Sequence, residues 1–312
     1  MSVRALLAAA IAVVLTAVSP GTADADPSIS DVSVETRTVN VWQWNVAGWK
    51  LHHGSTTDGL IAAAVSSIRN RDADFVAFNE LCHRQYTAII TALRGAGWPT
   101  DPSNFARFSA GTDTGCGGDS FGNAIFSRAP LGSADRVVLP SDGKPEQRSL
   151  LCAPLRDVAG VRLCTTHITP SNEVIDGKKI NETQLATVRA RLDHYDSAGD
   201  AVIIAGDFNA QPNYGRLNDW YSPSVDGPNN PNNSGRYREL DDADPAHCLG
   251  YGENTAADGP GGPCGSGKKI DLIFVPENRI HGGYSGDSLS ISQACGGACS
   301  DHRIVIGTVT VG

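Results

Sequence analysis

The stretch Ile203-Ile204-Ala205-Gly206-Asp207-Phe208-Asn209 ends an apolar run in a carboxylate and a carboxamide two residues apart. Successive side chains of an extended chain point to opposite faces, so Asp207 and Asn209 share a side. Four residues of near-continuous hydrophobicity read as a strand buried on both faces. The polar pair then sits at its C-terminal end, where sites are commonly built. Asp and Asn also start turns, so this run alone leaves a turn after a strand open.

Four more apolar runs end in, or in the last case carry near their start, residues that a hard cation or a phosphate would use. They are Val41-Trp42-Gln43-Trp44-Asn45, Phe75-Val76-Ala77-Phe78-Asn79-Glu80, Val161-Arg162-Leu163-Cys164-Thr165-Thr166-His167 and Ile270-Asp271-Leu272-Ile273-Phe274. Just ahead of the last strand, Ile304-Val305-Ile306-Gly307-Thr308-Val309, comes Ser300-Asp301-His302, a carboxylate beside an imidazole.

Asn45, Glu80, His167, Asp207 with Asn209, Asp271 and Asp301-His302 come in the order of the endonuclease/exonuclease/phosphatase superfamily, to which deoxyribonuclease I belongs. The chain resembles that family from Thr38 to Val311, and the joint occurrence of GDFN, an Ile-Asp-Leu-Ile-Phe strand and SDH is specific. The resemblance implies an α/β fold: a four-layer α/β/β/α sandwich of two mostly antiparallel sheets flanked by helices. It also implies residue roles. Glu80 would ligate magnesium (manganese or calcium being the alternatives), with Asn45 and Asp301 completing or supporting the metal shell. Oxygen ligands suit such a hard ion. His302, oriented by Asp271, would act as general base or phosphate ligand, since a carboxylate behind an imidazole fixes its tautomer and raises its basicity. Asp207 would position the attacking water or the second imidazole, Asn209 would donate to the transition-state oxyanion, and His167 would be general acid or phosphate donor. Arg148 resembles a phosphate-binding arginine, and Asn123 matches a segment beside the site. In one respect the chain departs from deoxyribonuclease I. The segment Gly122–Arg128 lacks the glutamate partner of the first histidine, and Asp119 is the substitute at hand.

The N-terminus reads as a secretory signal over 1–25. It has a basic start at Arg4, an apolar stretch from Ala5 to Val18 and an Ala23-Asp24-Ala25 cleavage site. The apolar run is shorter than the roughly 20 residues that a bilayer core requires, which argues against an anchor. A 26–37 extension and one catalytic domain over 38–312 account for the rest, and a single domain of roughly 290 residues buries a substantial core. Eight cysteines in an exported chain point to disulfides. Cys152 and Cys164 flank a turn symmetrically, Cys295 and Cys299 can close a small Gly-rich loop, and Cys82–Cys116 and Cys248–Cys264 follow by elimination.

Helical periodicity appears at Leu60, Ile61, Ala64, Val65 and Ile68, at Tyr86, Ile89, Ile90 and Leu93, and at Leu185, Val188, Leu192 and Tyr195. Ser55, Thr56 or Thr57 can cap the first helix. The Gly-, Pro- and Asn-rich stretch from Gln211 to Lys269 reads as long surface loops that shape substrate choice.

A net charge of -9 argues against broad electrostatic wrapping of nucleic acid. It leaves a nuclease open, because bound cations and a local cluster such as Arg216, Arg236, Tyr237, Arg238, Lys268 and Lys269 can supply positive field. The leading expectation is a secreted, magnesium-dependent phosphodiesterase: a monomeric endonuclease acting on DNA, with RNA a further substrate and no stable membrane insertion. A sphingomyelinase or phosphoinositide phosphatase would share the site but needs an apolar docking hairpin, for which Trp220-Tyr221 is the one candidate. An inactive binding module is disfavoured by the presence of every matched ligand and imidazole.

Overall fold

The apolar runs become strands, and their alternation decides which side chains meet. The computed structural model of the chain describes residues 35–256, 261–265 and 267–312. The expected signal peptide lies outside the described residues.

In chain order the strands are β1 (Arg37–Asn45), β2 (Phe75–Cys82), β3 (Ala106–Thr112), β4 (Phe121–Ser127), β5 (Asp135–Val138), β6 (Ser149–Pro154) and β7 (Val161–His167). They continue with the short β8 (Val174–Ile175) and β9 (Lys178–Lys179), then β10 (Ala201–Asp207), β11 (Tyr237–Glu239), β12 (Asp271–Pro276), β13 (Ile280–Leu289) and β14 (Ile304–Val311). Helices α1 (Leu60–Asn70), α2 (His83–Gly95) and α3 (Ile180–Ser197) fall where the periodicity places them. Two six-stranded sheets result, ordered β13-β14-β1-β2-β4-β3 and β11-β12-β10-β7-β6-β5. Both are antiparallel except for one parallel pair at each centre, β1 with β2 and β7 with β10. A parallel pair brings the C-terminal ends of both strands to the same edge.

The inner faces of the sheets meet through Val39, Val41, Phe75 and Ala77 against Leu163, Ile203, Ala205 and Ile273. The opposite parity faces outward. Trp42, Trp44, Val76 and Phe78 pack under the α1 residues Leu60 and Ile68 and the α2 residues Ile89 and Leu93. On the second sheet, Val202, Ile204 and Phe274 pack under Leu185, Val188 and Leu192 of α3. This is the expected four-layer sandwich. Full burial of β10 on both faces explains why its sequence is continuously apolar rather than alternating. Gly206 within it is obligatory, since a Cβ there would lie 2.1 Å from the Thr166 carbonyl oxygen.

Four disulfides link Cys82–Cys116, Cys152–Cys164, Cys248–Cys264 and Cys295–Cys299, which accounts for every cysteine. Cys152 and Cys164 are direct cross-strand partners of β6 and β7.

Local expectations needed correction in two places. Ser55, Thr56 and Thr57 do not cap α1; Gly59 is the N-cap at φ 103°, and the Asp58 carboxylate accepts from the Leu60 amide at 3.3 Å. A side chain at position 59 would run into the Ala294 carbonyl, so the helix start is set by that close approach. Among the described residues, the stretch from Gln211 to Lys269 is surface loop only in part, because several of its side chains are packed down. Trp220 and Tyr221 are 1% and 0% exposed, stacked against Phe274 and Phe208 beneath the second sheet. Lys269 is fully buried between Glu239 (3.0 Å) and Asp241 (2.7 Å), while Arg238 pairs with Asp242 and Arg236 with Asp193 and Asp196. The expected basic cluster is therefore largely neutralised by its own neighbours.

Candidate active site

On the inward face, each central strand runs from apolar to polar toward one end of the sandwich. Val39 and Val41 lead to Gln43 and Asn45, Phe75 and Ala77 to Asn79, Leu163 to Thr165 and His167, and Ile203 and Ala205 to Asp207. Asp271 opens β12 directly opposite Asp207, which also faces His167 across the parallel pair. Asn45 faces Asn79 in the other sheet. Glu80 has the wrong parity for this cleft. The pairing of β2 with β4 slips between Phe78 and Leu81, and Glu80 adopts φ 57°, a left-handed conformation rare outside glycine. Such a bulge re-aims a side chain, here toward Asn45.

Asn79 is the fully buried tie between the sheets. Its Oδ1 accepts from Gln43 Nε2 (3.2 Å) and the Asp207 amide (2.8 Å), and its Nδ2 donates to Asn123 Oδ1 (2.9 Å) and the Thr166 carbonyl (3.1 Å). Gln43 Nε2 also donates to Asp271 Oδ1 at 3.2 Å. Asn45 Nδ2 donates to Glu80 Oε1 (3.1 Å) and Asp207 Oδ2 (3.0 Å), while its Oδ1 accepts from the Ala47 amide (3.1 Å). Asn45 thus presents N–H to two carboxylates and steadies both.

The two imidazoles approach the same oxygen. His302 Nε2 lies 3.9 Å and His167 Nε2 3.5 Å from Asp207 Oδ2, and His167 Nε2 is 4.0 Å from Glu80 Oε1. His302 Nδ1 donates to Asp271 Oδ2 at 2.8 Å, and Thr255 supports that pair, its hydroxyl donating to the same oxygen at 2.8 Å. Burial works against the charged ring of His302, yet Asp271, Asp207 and Asp301 outweigh it and hold the ring up at about 10. Burial, then Asp271, push the Asp207 carboxyl above its usual range. Ser300 fixes the loop that carries His302, donating to the Asn45 carbonyl at 2.6 Å and accepting from the His302 amide.

Behind His167 stands Glu146, with Oε1 3.5 Å from Nδ1, and not Asp119. Asp119 instead pairs with Arg84 at 3.1 Å. Burial raises the Glu146 carboxyl, but the facing His167 and Arg148 bring it below its ordinary value. Arg148 Nη1 lies 3.0 Å from Glu146, which places the arginine at the edge of this group. Asn123 is buried under the site on Asn79. Asn209 sits at φ 46° with its Nδ2 on the Ile168 carbonyl at 2.8 Å, leaving one amide hydrogen. Asp301 pairs with Lys50 at 2.6 Å, and although burial opposes it, Lys50 and His302 hold its carboxyl low. Sequence reasoning missed Glu146, Thr255 and the roles of Gln43 and Asn79.

The model of the endonuclease/exonuclease/phosphatase family matches residues 42–302 of the chain. The chain belongs to that family. Its members hydrolyse phosphate esters, and this chain is an enzyme of that class. No curated protein matches the chain by sequence. The fold is similar to that of the human nocturnin catalytic domain with bound sulfate (14% identity, TM-score 0.62, covering 89% of this chain and 97% of that one). It is also similar to a family protein from Bacteroides thetaiotaomicron (15%, TM-score 0.60, 89% and 100%). A third similar structure is D. rerio TDP2 complexed with a single-strand DNA product (18%, TM-score 0.57, 87% and 98%).

Members of the endonuclease/exonuclease/phosphatase family typically use divalent metal ions, and the donor chemistry here fits one. Asp207, Asp271 and His302 offer ligand atoms within 4.8 Å of one another. Three hydrogen bonds weigh against Asp271 as a ligand, since it already accepts from Gln43, Thr255 and His302. Glu80 and Asp301 carry carboxylate oxygens, the donor type that a hard ion favours.

Proposed function

We propose that the chain is an exported, divalent-metal-dependent phosphodiesterase that cleaves nucleic acid endonucleolytically, with DNA as its principal substrate. The observation that carries the reading is the approach of two carboxylate-backed imidazoles, His302–Asp271 and His167–Glu146, to Asp207 Oδ2 beside Glu80. Phosphodiester hydrolysis needs a positioned water, stabilised phosphoryl oxygens and a proton for the leaving oxygen. Asp207 orients the water and accepts its proton, a task suited to a carboxyl whose pKa burial has raised. His302 donates from Nε2 to a phosphoryl oxygen, and Asp271 keeps that ring charged and aligned. His167, oriented by Glu146, protonates the leaving oxygen as the phosphorus–oxygen bond breaks. Asn209 adds its remaining amide hydrogen, and Arg148 an anion-binding guanidinium. Glu80 and Asp301 would hold magnesium, with Asn45 steadying the carboxylates; the cation supplies neutralisation of charge on the phosphoryl oxygens.

Burial of Trp220 and Tyr221 favours nucleic acid over a lipid substrate, because it removes the candidate docking hairpin. A fold shared with a protein seen holding a DNA product supports the same choice. Four disulfides are compatible with an oxidising compartment, and no helix among the described residues is long and apolar enough to cross a membrane. The purified protein should convert supercoiled plasmid to nicked circles with magnesium and not with chelator. Supercoiled plasmid left intact at high enzyme concentration with magnesium would count against the nuclease reading.

A further inference from the structure

Glu80 and Glu146 also line a groove of about 320 Å³. It is lined by Trp49, Phe121 and Pro145, interleaved with Lys50, Lys144 and Arg148. Its volume is at the lower end of the roughly 300–1,000 Å³ of small-molecule sites. Flat apolar groups alternating with cations are what a nucleotide needs, since a base stacks on an aromatic face while the backbone follows positive charge. In a chain of net charge -9, the three cations of this groove outnumber its two carboxylates, Glu80 and Glu146.

The groove is built rather than incidental. Trp49 is half-buried, with its indole meeting His53 edge to face at 5.7 Å. The loop between β3 and β4 backs it, because a Cβ at Gly117 would come within 2.8 Å of the indole. That loop is tied to the end of β2 by Cys82–Cys116 and to the first turn of α2 by the Arg84–Asp119 pair, so the wall behind the tryptophan is fixed before anything binds. Arg148 is largely buried, and its Nε lacks a hydrogen-bond partner among the described residues. A largely buried guanidinium that lines the groove beside Glu146 and keeps unspent N–H groups can take up a further anion.

We propose that this groove is a subsite for the nucleotide flanking the scissile phosphate, its base stacked on Trp49 and its phosphate held by Arg148. A base inside a duplex cannot reach such a wall without leaving its stack. The inference therefore specifies single-stranded or locally opened nucleic acid as the preferred substrate. It rests on the nuclease reading above.

The test is a coupling experiment on short single-stranded oligonucleotides carrying one cleavage position, with either a normal base or an abasic site at the flanking nucleotide. Trp49→Ala should lower kcat/KM on the intact strand by roughly 5–150-fold, the range expected for one lost stacked base. Trp49→Phe, which keeps an aromatic face, should recover most of it. The abasic site should cost wild type a similar factor, and both changes together little more than either alone. Losses that multiply, or a Trp49→Ala variant that cleaves the intact strand like wild type, overturn the subsite. A duplex of the same sequence cleaved faster than the single strand overturns it as well. A wild type that cleaves no nucleic acid removes the nuclease reading and the subsite with it. Retained oligonucleotide cleavage with multiplicative losses removes the subsite alone.

Discussion

Asp271→Asn changes one atom and should cost most of the activity. Asp271 is fully buried, and both its oxygens act only as acceptors: Oδ1 from Gln43 Nε2, Oδ2 from Thr255 Oγ1 and His302 Nδ1. The Thr255 hydroxyl is already committed, since its oxygen accepts from the amides of Ile270 and Asp271 at 3.0 Å. An asparagine must point its NH2 at one of these donors. Toward His302 it forces the imidazole into the wrong tautomer. Toward Gln43 it can be answered by flipping the Gln43 amide, but that brings Gln43 Oε1 against Asn79 Oδ1, the tie between the sheets. Either way one buried group is left mispaired, at about 1–3 kcal/mol of stability. His302 also loses the carboxylate that contributes most to holding it near 10. Loss of the orienting carboxylate of a catalytic imidazole costs on the order of 10²–10⁴ in turnover, or about 3–5.5 kcal/mol in the transition state. Steady-state cleavage at pH 7, with thermal unfolding measured in parallel, tests both numbers. A variant that unfolds slightly earlier but retains turnover within fivefold of wild type would refute the assignment of Asp271 as the orienting group.

His167→Ala should lower turnover by at least about a hundredfold with little change in unfolding temperature, and Glu146→Gln by about 10–100-fold, as measured by plasmid nicking. Equal activity of wild type and Glu146→Gln would show that the second imidazole needs no carboxylate behind it. The raised His302 value makes stability pH-dependent: its charge stabilises the fold fully below its ordinary 6.5, and that contribution is lost as pH rises through about 10. Thermal unfolding should fall across that window, and His302→Gln should flatten the fall. Lys269→Met leaves Glu239 and Asp241 buried without their cation, so denaturant unfolding should show a loss of about 3–5 kcal/mol. A loss under 1 kcal/mol would contradict the reading of Lys269 as the cation that these buried carboxyls require.

The parity of five apolar runs made the cleft legible. Asn45, His167 and Asp207 continue the inward-facing positions of strands whose earlier residues are Val, Leu, Ile or Ala, Asp271 begins the inward-facing row of β12, and alternation puts each on the cleft face of its strand. The helices showed their period for the same reason, one apolar stripe against one sheet. Glu80 obeys no such rule; its side chain reaches the cleft through a bulge that no periodicity announces. Glu146 and Thr255 come from irregular segments, and what aligns them is contact with His167 and Asp271, which only the folded chain supplies. The same limit applies between Gln211 and Lys269. Its Pro, Gly and Asn content suggests loops, but Trp220, Tyr221 and the Lys269–Glu239–Asp241 group pack it down, and buried ion pairs leave no pattern in composition. The sign of a surface is hidden in the same way, because Arg236, Arg238 and Lys269 read as a basic patch until their partners are seen.

The measurement that bears most directly on the account is product release by the purified protein from plasmid DNA, RNA, sphingomyelin and phosphoinositides, each with magnesium and with chelator. Magnesium-dependent cleavage of DNA, abolished by His302→Ala, is the predicted result. Hydrolysis of a lipid with DNA left intact would contradict it, keeping the Asp207-centred chemistry and overturning the substrate.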